Sequence, residues 1–114
     1  MNKAEVKILH LLLNHRGSKS AITVKRIKSK TGIPERTIRQ AISNLVTLYY
    51  CPIASSVHHP YGFYFITDEK EGELCLGQYW SRISKLLKRI KSLKKAIENE
   101  FGKEIQLELN FNNE

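Results

Sequence analysis

The chain has 114 residues, enough for one compact domain with a helical appendage. Its 19 Lys+Arg against 11 Asp+Glu give a formal charge of +8, a balance suited to a polyanionic partner, nucleic acid first and an anionic membrane surface second. No apolar run is long enough to cross a bilayer, and Lys3, Glu5 and Lys7 interrupt the start too early for a secretory signal, so a cytoplasmic protein is expected.

Residues 4–14 predict an amphipathic helix, with Val6, Leu9, Leu12 and Leu13 on its inner face and Ile8 and Leu11 widening it. His15-Arg16-Gly17 reads as its exit, basic residues in the last turn and glycine beyond. Residues 18–23 form a polar connection, in which Ile22 is placed as a one-bridge strand of a small sheet. A second helix is expected over residues 24–30, capped by Thr23, with Val24 and Ile27 inward and Thr31-Gly32 as its exit. Ile33 plugs the turn and Pro34 opens a third helix over 34–48, where a missing N–H costs nothing. Ile38, Ile42 and Leu45 point inward there, with Ala41 at a close helix approach, while Glu35, Arg36, Arg39, Gln40 and Ser43 occupy the other face. Two short helices around a glycine-containing turn are a helix-turn-helix.

Pro52 closes the third helix. Residues 52–56 and 63–66 are strand-like, and 57–62 is a turn holding Pro60 and Gly62. A helix-turn-helix followed at once by a hairpin is a winged helix. The stretch TGIPERTIRQAISNLVTLYYCPIASS followed by GFYFIT resembles the DNA-binding domain of biotin-repressor type proteins, whose wing reads G-x-P-I-x-S … G-Y. Here the wing is CPIASS and GFYF, with Cys51 in place of the glycine and phenylalanine in place of the tyrosine. The likeness covers residues 5–67, and the Pro-Ile-Ala-Ser-Ser strand is its most specific part. The chain is also similar to small phage and prophage proteins of Gram-positive bacteria that follow this wing with a long basic helix. That second resemblance implies a role in DNA replication or regulation, in a bacterial host or from a prophage.

Asp68 as N-cap and Glu71 three residues on predict a capping box at the start of the last helix, residues 68–101. Leu76, Tyr79, Ile83, Leu86, Ile90, Leu93 and Ile97 then alternate by three and four. Isoleucines 83, 90 and 97 share one heptad position and leucines 86 and 93 the other, the pattern of a parallel coiled-coil dimer. The flanking positions, Arg82 and Arg89 on one side and Leu87 and Lys94 on the other, supply no opposite-charge pairs, so parallel and antiparallel association both stay open. The competing reading is a helix that packs on its own domain through Trp80 and Leu87. Every charged residue between Arg82 and Lys95 is positive, which suits phosphate contact or an acidic partner, or is simply a solvated face.

Phe101-Gly102 ends the helix, and residues 102–114 are expected to be a flexible tail. Gln106, Leu107, Leu109 and Phe111 resemble the short peptides with which bacterial replication proteins dock on the sliding clamp. An extended peptide of this kind would place Gln106 in a polar pocket and the apolar residues in a groove. The same alternation also describes an ordinary edge strand.

The fold class expected is thus α+β and mainly helical: a winged helix-turn-helix (1–67), a long basic self-associating helix (68–101) and a tail (102–114). Lys25, Lys28, Lys30 and Thr37 are the expected phosphate contacts. In the major groove, Arg36 and Arg39 suit guanine edges and Gln40 adenine, with Ser43 on the same face. The arginines serve equally as phosphate contacts or as partners of Glu35. His58 and His59 lie in the wing turn, exposed or approaching the minor groove. Cys51 and Cys75 have no metal-ligand spacing, and no nucleophile–base pair or phosphate-binding glycine loop is present, so neither an enzyme nor a cofactor is expected. The leading expectation is a duplex-binding replication factor; the alternatives are a transcriptional regulator and a protein-docking winged helix.

Overall fold

The computed structural model describes residues 1–106. Its elements run α1 (Lys3–Leu12), a 3-10 turn (Ser18–Ser20), α2 (Val24–Thr31), α3 (Glu35–Thr47), β1 (Ile53–Ser56), β2 (Gly62–Phe65) and α4 (Glu69–Phe101). The architecture is therefore α+β and mainly helical, with one two-stranded antiparallel sheet and a long final helix. Two compact units divide the chain, Met1–Gly77 and Gln78–Glu114. The first extends past residue 67, because the opening turns of α4 belong to it.

The N-terminus of α1 is closed by a reciprocal cap: the Asn2 side chain accepts from the Glu5 N–H, and the Glu5 carboxylate accepts from the Asn2 N–H, each at 2.8 Å. The inward line of α1 is Glu5, Ile8 and Leu12, not the Val6–Leu9–Leu12–Leu13 face read from the sequence. Val6 is exposed, while Leu9 and Leu11 only flank the core. The inward stripe is rotated because a charged residue, Glu5, occupies one of its positions. Also contrary to expectation, α1 ends at Leu12, and Gly17 (φ 83°) opens the 3-10 turn instead of closing the helix. His15, read from sequence as part of the helix exit, lies beyond the helix and donates from Nδ1 to the Ser20 carbonyl at 2.8 Å.

The α2–turn–α3 unit follows the local signals closely. Thr23 Oγ1 accepts from the Arg26 N–H, and Gly32 ends α2 in the left-handed conformation (φ 73°) with its N–H on the Lys28 carbonyl. Thr31 bridges the turn, donating to the Ile27 carbonyl and accepting from the Ile33 N–H. Lys7 of α1 reaches the Thr31 carbonyl at 3.2 Å, placing a cation at the negative end of α2. Pro34 is the N-cap of α3 instead of its first residue, so α3 runs Glu35–Thr47 and not 34–48. Ile38, Ala41, Ile42 and Leu45 are buried as their spacing predicts. They meet Ile8, Leu12, Ile22, Val24, Ile27 and Ile53 in one core, with α3 packed against both α1 and α2.

The hairpin pairs Ile53 with Phe65, Ala54 with Tyr64, Ser55 with Phe63 and Ser56 with Gly62. Its strands thus differ slightly from the 52–56 and 63–66 read from sequence. Ile22 forms a one-residue bridge as expected, and its partner is Phe63, with both backbone hydrogen bonds exchanged (2.9 and 2.8 Å). A second bridge, Arg16 to Phe65, adds a contact with no local signal in the sequence, and the Arg16 guanidinium lies 5.2 Å from the Phe65 ring centre. The left-handed residue before the hairpin is Tyr50 (φ 55°), and it is 87% exposed. A bulky residue there carries strain of order 1–2 kcal/mol, and the bond from the Cys51 N–H to the Leu45 carbonyl (2.9 Å) closes the turn around it.

The start of α4 is capped by Asp68, whose Oδ1 accepts from the Glu71 N–H at 2.8 Å. The reciprocal half of the expected capping box does not form. Glu71 instead accepts from the Thr67 N–H and hydroxyl and from the Ser18 N–H (2.8–2.9 Å), tying α4 to the 3-10 turn. These donors, Thr67 first, hold the Glu71 carboxyl below the ordinary glutamate range against the opposing effect of burial. Tyr64, covered on this side, has its hydroxyl pushed up by burial and by the nearby Glu71 and Cys75.

In the second unit, α4 continues to Phe101, and Gly102 (φ 65°) ends it as predicted, with its N–H on the Glu98 carbonyl. The 33-residue helix is about 50 Å long at ~1.5 Å per residue. Glu98 pairs with Lys94 at 3.3 Å and accepts from the Ile105 N–H, which holds its carboxyl down, the Ile105 bond first.

Candidate functional site

The face of α3 opposite its core residues is polar throughout. Stepping ~100° per residue places Arg36, Gln40, Ser43 and Thr47 within about 30° of the point opposite Ile38, Ala41, Ile42 and Leu45. All four are exposed. Arg39 lies further round, towards the flank that carries Glu35 and Val46. Thr37 and Asn44 lie on the other flank, towards α1. Thr47, absent from the sequence-based set, belongs to this face by the same helical spacing, and its hydroxyl donates to the Ser43 carbonyl at 2.8 Å.

Between this face and the start of α1 is a groove of about 340 Å³ lined by Asn2, Ala4, Arg36, Thr37, Gln40, Ala41 and Asn44. Three predicted site residues, Arg36, Thr37 and Gln40, therefore meet in one place. Asn2 and Asn44 join them without having been anticipated, because their contribution depends on α1 lying beside α3. Gln40 Nε2 donates to Asn44 Oδ1 at 2.9 Å, and Asn44 Nδ2 donates to Glu5 Oε2 at 2.9 Å. Glu5 is 3% exposed. The Asn2 N–H and then the Asn44 amide hold its carboxyl below the ordinary glutamate range, outweighing burial.

Lys25, Lys28 and Lys30 are exposed on α2, with Lys28 and Lys30 in its last turn. His58 and His59 are exposed at the hairpin turn. The Ser56 hydroxyl donates to the His58 carbonyl at 2.6 Å, and the His59 ring meets Tyr61 edge to face with centres 5.8 Å apart. The ammonium, guanidinium, amide and hydroxyl groups around α2 and α3 are donors, the groups that phosphate oxygens and base acceptors need.

Along α4, Leu76, Tyr79, Ile83, Leu86, Ile90 and Leu93 are exposed and Ile97 is half-buried; no residue of this helix is buried. Arg82, Lys85, Lys88, Arg89, Lys91 and Lys95 are exposed, and the Arg82 guanidinium lies 5.6 Å from the Tyr79 ring centre. Of the tail peptide, Gln106 is exposed, while Leu107, Leu109 and Phe111 lie outside the described residues. Among the described residues no cluster of His, Cys, Asp and Glu could hold a metal ion, and no helix is long and apolar enough to cross a membrane.

Comparison of the chain with family models, with curated proteins and with solved structures finds no match. The likeness to biotin-repressor type domains accordingly rests on the residues that carry it.

Proposed function

We propose that the chain is a winged helix-turn-helix protein that binds duplex DNA with sequence preference. In this reading α3 lies in the major groove, the β1–β2 hairpin is the wing, and the lysines of α2 contact phosphates. The observation that carries the proposal is the make-up of the outward face of α3. Arg36, Gln40, Ser43 and Thr47 stand together there with no large apolar residue among them, opposite a fully apolar core face. A docking surface for protein would be expected to expose an apolar centre instead. The net charge of +8 acts in the same direction.

Within this proposal α4 self-associates through its heptad residues and presents two binding domains to two half-sites. A cytoplasmic replication accessory or initiator role is favoured over transcriptional regulation by the resemblance of Gln106, Leu107, Leu109 and Phe111 to clamp-docking peptides.

Phosphate and base contacts separate by experiment. Lys28→Ala is expected to weaken binding to all duplexes alike and to reduce the slope of log affinity against log salt by about one. Gln40→Ala is expected to relax preference at one base pair by roughly 1–3 kcal/mol, with little change in the salt slope. Fluorescence titration of matched and scrambled duplexes over a range of salt checks both. Identical preference in wild type and Gln40→Ala would contradict the assignment of α3.

A further inference from the structure

Three side chains, Glu5, Asn44 and Gln40, are hydrogen-bonded in series from the buried face of α1 to the outward face of α3. An ionised carboxylate only accepts hydrogen bonds. Glu5 engages the Asn2 N–H with Oε1 and Asn44 with Oε2, so Asn44 must turn its NH₂ towards Glu5. Its Oδ1 then faces Gln40, and Gln40 must answer with Nε2, as it does at 2.9 Å. The orientation of an exposed glutamine amide, usually free to flip, is dictated by a buried charge on another helix. What Gln40 has left for the groove is Oε1 as acceptor together with the second proton of Nε2. That acceptor–donor pair matches adenine, which offers its N6 amino group and N7.

We propose that Glu5 and Asn44 are positioning residues for base specificity, setting the amide polarity of Gln40 so that α3 prefers adenine at one position. This inference rests on the reading of α3 as the base-contacting helix. It does not require Glu5 or Asn44 to touch DNA. Glu5 lies in α1, 35 positions before Gln40 in the sequence, and on the sequence alone it would be expected to face solvent.

The relay predicts inversion of preference, not merely loss. In Glu5→Gln the amide oxygen keeps the Asn2 N–H, and the new NH₂ faces Asn44. Asn44 then offers Oδ1 to residue 5 and NH₂ to Gln40. Gln40 accepts with Oε1 and presents only donors to the groove, which suits the acceptors of guanine (O6, N7) or the O4 of thymine. A variant that only loosened the fold would lower affinity for every duplex and leave the preferred base unchanged.

The test is selection from a randomised duplex library for wild type, Glu5→Gln, Asn44→Ala and Gln40→Ala, with each full-length variant checked for folding by thermal melting. The expected result is that the base pair lost from the preference in Gln40→Ala is also relaxed in Asn44→Ala. At that same position Glu5→Gln should exchange adenine for guanine or thymine, by roughly tenfold in relative binding. Should Glu5→Gln not fold, Asn44→Ala carries the test, since it leaves the α1 cap intact. A wild-type preference retained in both Glu5→Gln and Asn44→Ala, but relaxed in Gln40→Ala, overturns the relay and leaves DNA reading by α3 standing. A preference that Gln40→Ala does not alter overturns both.

Discussion

Replacing Gly62 with alanine is expected to lower the unfolding free energy of the first unit by roughly 3–5 kcal/mol, a left-handed backbone and an overpacked contact acting together. Gly62 has φ 123°, a conformation that side chains rarely adopt. A Cβ there would overlap the Ile22 carbonyl and lie 2.6 Å from the Thr23 nitrogen. Neither neighbour can yield easily. The Ile22 carbonyl accepts from the Phe63 N–H at 2.8 Å, and Thr23 caps α2. The alanine methyl would therefore push the hairpin away from the segment that leads into α2. Such a loss is a large fraction of what holds a domain of this size together. Urea unfolding gives the comparison, with Gly77→Ala as control. Gly77 lies inside α4 with nothing within 4 Å of its added Cβ, so that alanine should instead favour the helix by up to about 1 kcal/mol. A Gly62→Ala midpoint equal to wild type would contradict the close approach of hairpin and Ile22 strand.

The second large effect concerns α4. If the helix pairs through its heptad seam, Ile83→Ala with Ile90→Ala should weaken the dimer by roughly 6 kcal/mol, about 10⁴-fold, because four isoleucines lose their cover at once. In a single chain both residues are 37% exposed, and Leu86 between them is 58% exposed. A stripe of this length needs a partner to leave water. The helix should also lose ellipticity in the double variant, since its stability would come from packing more than from intrinsic preference. The run of cations beside the seam adds a condition. Like charges on two paired helices repel, so association of the wild type should tighten as salt screens them, opposite in direction to DNA binding. Sedimentation equilibrium measures both. A wild-type protein that stays monomeric at high micromolar concentration in raised salt would contradict the seam.

Much of the local structure is legible in the sequence because its causes are local. Thr23, Gly32 and the spacing of Ile38, Ala41, Ile42 and Leu45 each act within a turn or two, and they set α2, the turn and α3 close to their expected places. Asp68 and Gly102 do the same for the two ends of α4. The features that escape are those whose cause lies far along the chain. Charge alone sends Glu5 to the outside and rotates the inner face of α1 accordingly. Its burial becomes tolerable through the Asn2 cap and an amide contributed by Asn44 of α3. Local spacing offers Glu71 a partner within its own turn, yet its carboxylate also binds Ser18. Gly62 reads as a turn residue, although its necessity comes from Ile22. Tyr50 offers no signal at all, since nothing in the residue type announces a positive φ.

The candidate site divides in the same way. Arg36, Gln40 and Ser43 follow from helical spacing because they share one face of one helix. Asn44 and Asn2 do not, since they reach the groove only through the packing of α1 on α3. The heptad residues are legible as a pattern, and the pattern is continuous along a helix with no buried residue.

Selecting bound sequences from a random duplex library with the full-length wild-type protein tests the central claim most directly. If α3 reads the major groove and α4 joins two domains, the selected pool should converge on a short motif repeated as two half-sites at fixed spacing, with adenine or guanine at the positions facing Gln40 and Arg36. A pool that stays random at a salt concentration where the protein still binds duplex would contradict it.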